Sequence, residues 1–180
     1  RYIFQIHLQE NRLDINPLQA SLKQLKDTAH RLGLNLDLGD DRLAYMDLLF
    51  SHFVEPSLGF DAPVFLTDFP PEMASLAKVK TDDDGEQVAA RFEIYIEGLE
   101  LANAYDELLD AEVLAARFEA DNLERTKQGL PVIPTDQYLL SALPHMPECS
   151  GIALGLDRLL MVAMNQVKID QVIAFPAEIA

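Results

Sequence analysis

The stretch Gln87-Val88-Ala89-Ala90-Arg91-Phe92-Glu93-Ile94-Tyr95-Ile96-Glu97-Gly98-Leu99-Glu100-Leu101-Ala102-Asn103-Ala104-Tyr105 decides the fold. Its first half alternates with a period of two. Val88, Ala90, Phe92, Ile94 and Ile96 point one way, and Ala89, Arg91, Glu93, Tyr95 and Glu97 the other, which is a half-buried strand. Glu97-Gly98 is a two-residue turn, and Leu99 to Tyr105 returns as a second strand. This register sets Tyr95 opposite Glu100 and Glu93 diagonal to it, a separation of roughly 7–8 Å. Two carboxylates so spaced read either as a shared site for a hard cation such as Mg²⁺ or as a solvated strand face with scattered acids.

Around this hairpin the period changes. Upstream, Asn16-Pro17 reads as a helix cap, Leu18, Leu22, Leu25, Ala29 and Leu32 recur at helical spacing, and Gly33 is the stop. A second helix starts after Asp40 or Asp41 and carries Leu43, Leu48, Leu49, Phe50 and Phe53. Arg1 to Gln9 is apolar and read as helix. Ala62 to Thr67 is a short strand ended by Phe69-Pro70-Pro71, and Thr81 to Glu86 is a solvated turn. Downstream, Asp110 caps a helix running to Gln128 and closed by Gly129. A shorter helix starts at Thr135 or Asp136, Ser150 to Leu154 is a small-residue strand, Gly155 an elbow, and Leu156 to Asn165 an apolar helix. Helices first and last with antiparallel strands between them make an α+β fold.

Composition bounds the function. The chain has 180 residues, 49% of them hydrophobic, enough for one domain with a core. Fourteen basic residues against thirty acidic ones give a net charge of −16 and a pI near 4.4, which argues against holding a phosphate backbone by net field. The single Cys149 excludes an internal disulfide and a multi-cysteine zinc site, and is read as a small buried residue. No apolar run approaches the ~20 residues of a membrane span, so the expected location is the cytoplasm. The chain begins at Arg1 rather than Met, as expected of a piece of a longer one. His7, His30, His52 and His145 lack metal-ligand spacing.

Two further segments carry chemistry. Glu107 ends the second hairpin strand beside the Asn103 amide; paired acids there read as an ammonium site, or the stretch as a strand end followed by a polar turn. In Gly151-Ile152-Ala153-Leu154-Gly155-Leu156-Asp157-Arg158, small residues at alternate strand positions let a flat ligand approach the backbone. Arg158 falls in the first turn of the next helix, where a cation opposes the dipole. It is therefore available to stack on a base or pair with a phosphate. The alternative is a tightly packed strand–helix joint.

Taken together these residues resemble the C-terminal part of the catalytic domain of a class II aminoacyl-tRNA synthetase of the lysine type. Gly151 to Arg158 resembles the third signature motif, and Arg91-Phe92-Glu93 with Glu100 to Asp110 resembles the lysine branch's RFE and E-x-x-N-(G/A)-x-x-E-L-x-D. Pro63-Val64-Phe65 and Ser75-Leu76-Ala77-Lys78 fit the same branch. Gly98 to Asn103, Pro147 to Gly151, Ile173-Ala174-Phe175 and Ala153 are similar to the short paralogues that attach (R)-β-lysine to a lysine of elongation factor P. Ala104 and Asp106 stand where that branch usually has glycine and histidine.

The resemblance implies an antiparallel sheet flanked by helices, with residues 1–61 a mainly helical insertion and 62–180 the C-terminal half of the core. It implies that Glu93 and Glu100 hold Mg²⁺ against ATP, that Glu100, Leu101, Gly155 and Arg158 line the ATP site with Arg158 on the γ-phosphate, and that Asn103, Glu107, Ala153 and Gly151 line the amino-acid pocket. The implied reaction is adenylation of lysine or β-lysine and transfer to elongation factor P. The alternatives are transfer to tRNA-Lys by a genuine synthetase, or a non-catalytic binding module. The parent protein is expected to be a homodimer. The first and second class motifs have no counterpart here, so half an active site, inactive alone, is expected.

Overall fold

A computed structural model describes residues 15–16 and 18–176. The expected helix over 1–9, the proline of the expected Asn16-Pro17 cap and His7 lie outside the described residues. Two helices come first: α1 (Leu22–Arg31) and α2 (Arg42–Leu49). The sequence placed the first start at Asn16-Pro17, but Asn16 only closes a turn, accepting from Leu18 N with its side chain and Ala20 N with its carbonyl. The true cap is Ser21, whose hydroxyl accepts from Gln24 N while the Gln24 side chain accepts from Ser21 N. This reciprocal pair satisfies two donors that Asn16 cannot reach. Asp41 caps α2 by accepting from Ala44 N, as the sequence predicts. Beyond α2, Phe50–Val54 continues as one wider π turn.

The sheet follows: β1 (Val64–Phe69), β2 (Val79–Thr81), β3 (Gln87–Ile96) and β4 (Leu99–Asp106), then β5 (Ser150–Leu154). Its order is β1-β3-β4-β5, all antiparallel, with β2 pairing the first residues of β3 on the edge opposite β1, since Ala89 pairs with both Phe69 and Val79. The three-residue β2 has no sequence signal; it exists because Val79 to Thr81 finds the open end of β3. Between β4 and β5 run α3 (Ala111–Lys127), capped by Asp110, and α4 (Gln137–Ala142), capped by Asp136. Helix α5 (Leu156–Ala163) leaves β5 directly at Gly155.

The core corrects the alternation reading. The face of β3 that carries charge is the deeper one: Ala89, Glu93 and Tyr95 are buried, whereas Phe92, Ile94 and Ile96 are only half-buried. The reason is that α1, α2 and the π turn pack on the charged face. Leu25, Ala29, Tyr45, Met46 and Leu49 share one cluster with Leu66, Phe69 and Tyr95, and Phe50 meets the Tyr95 ring edge-on at 6.3 Å. No helix among the described residues is long and apolar enough to cross a membrane.

Candidate functional site

The β3–β4 turn builds the site. Glu97 and Gly98 take φ of 52° and 74°, the paired positive values of a type I′ hairpin. The turn is stitched to the end of the helical region: Glu97 N donates to Gly59 O and Gly98 N to Leu58 O. Tyr95 then faces Glu100, as predicted, but Ile94 pairs with Ala102, so Leu101 is an extra residue in β4. Such a bulge flips the side-chain parity. Glu93 therefore lies opposite Asn103 rather than Ala102, and Glu100 and Asn103 share one face although three residues apart. An unbulged hairpin, the register expected from sequence, sends Asn103 to the other side.

The Glu93 carboxylate is inside the protein at 9% exposure, which removes the solvated-face reading. Its Oε2 accepts from the Tyr95 hydroxyl at 2.8 Å and its Oε1 pairs with Arg91. Burial pushes its carboxyl above the ordinary range, opposed by the Tyr95 hydrogen bond and the Arg91 charge. Tyr95 is itself pushed up strongly, by burial first and then by the Glu93 charge. Glu93, Tyr95 and Glu100 line a cavity of about 230 Å³, together with Asp47, Glu55 and Asp68. The Glu55 carboxyl is raised by burial and next by repulsion from Glu100 and Asp47. Sequence reasoning missed Asp47 and Glu55, because their approach to the sheet depends on the π turn.

Arg158 stands beside Glu100. Its Nη1 donates to Glu100 O at 2.8 Å and lies 3.8 Å from Glu100 Oε2, and its side chain packs along Gly155. Leu101 is buried in the bulge, and its carbonyl accepts from Gly155 N, locking the strand–helix elbow to β4. Farther along the same face, Ala153 lies opposite Asn103 and Gly151 opposite Tyr105. A Cβ on Gly151 collides with Glu107 Oε1, so the missing side chain is where the Glu107 carboxylate rests. The Glu107 backbone is held from two sides, by a bridge to Ala77 and by donation to Cys149 O. Cys149 is half-exposed, not buried as expected from its size, because it lies in the loop entering β5. His30, His52 and His145 take no part in the cavity lining.

All nine sequence-predicted residues thus fall on the β3–β4–β5 surface or its elbow, in two patches. Glu93, Glu100, Arg158, Leu101 and Gly155 form one; Asn103, Glu107, Gly151 and Ala153 form the other. The first joins hard oxygen donors to an arginine. Among the described residues no three His, Cys, Asp or Glu side chains converge as a metal cage. Two carboxylates without a cage fit Mg²⁺, which keeps part of its shell for water and phosphate oxygens.

A family model described as tRNA synthetases class II (D, K and N) matches residues 10–179. The chain is 47% identical over 171 residues to the elongation factor P–(R)-β-lysine ligase of Yersinia pestis (strain Pestoides F). The same figure holds for the protein of that description from Yersinia pseudotuberculosis serotype O:1b (strain IP 31758). Each alignment covers 93% of this chain and 52% of the relative, so the chain spans about half the length of the curated relatives it matches.

Proposed function

The chain belongs to the class II tRNA synthetases of the D, K and N group, and on that premise we propose that it forms the C-terminal half of the catalytic domain of an ATP-dependent ligase, with residues 1–61 a helical insertion and 62–180 half of the core. The ligase activates (R)-β-lysine as an adenylate and transfers it to a lysine of elongation factor P. The observation that carries this reading is the bulged β4 strand, which aligns Glu100 with the Asn103 and Glu107 face beside Arg158.

In this reading Glu93 and Glu100 would hold Mg²⁺, which would supply charge neutralisation at the ATP phosphates. Arg158 leaves its contact with Glu100 to pair with the γ-phosphate, and Gly155 and Leu101 present backbone to the nucleotide. Asn103 orients the substrate carboxylate, Glu107 receives an ammonium group, and the Ala153 methyl trims the pocket. One methyl discriminates by only about 1–3 kcal/mol. Catalysis is by positioning and charge neutralisation, with no covalent nucleophile.

The other half of the site lies outside these residues in this reading. Supporting it, the large apolar side chains Phe65, Ile152 and Leu154 on the far sheet face and Leu156, Leu159 and Leu160 on α5 are exposed. The test is ATP–pyrophosphate exchange by the full-length protein with (R)-β-lysine and α-lysine in parallel, and by this chain alone. Preference for the β-amino acid and no exchange by the chain alone are expected. Preference for α-lysine overturns the (R)-β-lysine assignment and favours the tRNA synthetase reading; exchange by the chain alone overturns the half-site.

A further inference from the structure

Among the described residues two buried side-chain polar atoms meet no hydrogen-bond partner, Arg91 Nε and Asn103 Oδ1. They are complementary, one a donor only and the other an acceptor only. They also share one face of two adjacent strands: Arg91 pairs with Tyr105 and Glu93 with Asn103, so Arg91 and Asn103 are diagonal neighbours. A buried group left unmet costs about 1–3 kcal/mol, so two complementary ones on one face point to a common partner.

The other two guanidinium nitrogens of Arg91 each have a partner. Its side chain is only 9% exposed. The guanidinium lies 4.3 Å from the Phe69 ring centroid and 5.3 Å from that of Tyr105. Nη1 donates to Met73 O at 3.1 Å, and Nη2 pairs with Glu93. Stacking between two rings fixes the guanidinium plane. Nε is therefore aimed by the same contacts that hold Glu93.

We propose that Arg91 is the positioning residue that ties the two patches together. It orients the Glu93 carboxylate through Nη2, and through one buried water, accepting from Nε and donating to Asn103 Oδ1, it fixes the Asn103 amide. With its oxygen so engaged, Asn103 offers the pocket its NH₂ donors, which select a substrate carboxylate oxygen over an ammonium group. The proposal rests on the reading of Asn103 as an amino-acid contact.

Two measurements test it. A high-resolution crystal structure of this chain reads the network without activity: a water within hydrogen-bond distance of both Nε and Oδ1 supports it, and Nε bonded elsewhere overturns it. In the full-length protein, pyrophosphate exchange is compared for Arg91→Lys, Asn103→Ala and the double variant, with folding checked by circular dichroism. Lysine keeps the charge but has neither the fork nor an Nε. Arg91→Lys is expected to raise the amino-acid KM about tenfold or more, and this effect is expected to vanish in the Asn103→Ala background. An equal KM effect in both backgrounds overturns the link to Asn103 and leaves Arg91 acting through Glu93 alone. If the unaltered protein shows no exchange with either lysine isomer, the functional reading falls and the substrate role of Arg91 falls with it, while the water position still judges the network.

Discussion

Two glycines separate the demands of the fold from those of the site. At Gly59, φ is +80° and a Cβ comes within 2.5 Å of Tyr95 O and 2.7 Å of Ile96 Cα, all rigid backbone. Gly59→Ala is expected to destabilise by about 1–3 kcal/mol from backbone strain alone, with the collision added, measured by urea denaturation. At Gly151 the obstacle is the far end of the flexible Glu107 side chain, which swings away cheaply. Gly151→Ala is therefore expected to change stability by less than about 1 kcal/mol. In the full-length protein it raises the amino-acid KM with little change in that for ATP, read by pyrophosphate exchange.

At the scale of elements, caps and turns are strictly local and the sequence reveals them. Asp110 accepts from both Glu112 N and Val113 N, and Asp110→Ala is expected to cost about 1 kcal/mol in a thermal melt. The β4 bulge is different in kind. The Glu97-Gly98 turn sets the register only at the tip, and Leu101 becomes the extra residue because Gly155 N takes its carbonyl. That hydrogen bond arrives from residues more than fifty positions away, so no local pattern in the hairpin announces it. The Ser21 capping box was legible in the same way as Asp110, and the Asn16-Pro17 signal masked it.

For the whole molecule, the concentration of carboxylates around the cavity sets the pH behaviour. The Glu55 carboxyl is raised in the folded state by burial, then by Glu100 and Asp47, with Tyr95 and Arg158 opposing. The folded protein thus keeps this proton to higher pH than the unfolded chain. Stability from this group is present below the ordinary carboxylate range and is lost as pH rises through the raised value. Glu55→Gln removes the ionised form and its repulsion. It is expected to raise the melting temperature at neutral pH, with a gain that shrinks as pH falls below the ordinary carboxylate range, measured by thermal melts across pH. A gain independent of pH contradicts this origin.

From sequence alone, the α+β class, the hairpin and four of the helix starts were legible, because caps, turns and alternation depend on neighbours in the chain; the nine proposed site residues came with the family resemblance. The resemblance to the lysine-type synthetases rested on that same local spacing. Tertiary structure alone decided that the charged face of β3 is the buried one, since α1, α2 and the π turn cover it. It also decided that Asp47 and Glu55 face Glu93 and Glu100, and that Asn103 joins Glu100 on one face. Each of these depends on contacts between segments distant in sequence, whose geometry exists only once the helices and the elbow at Gly155 have docked on the sheet.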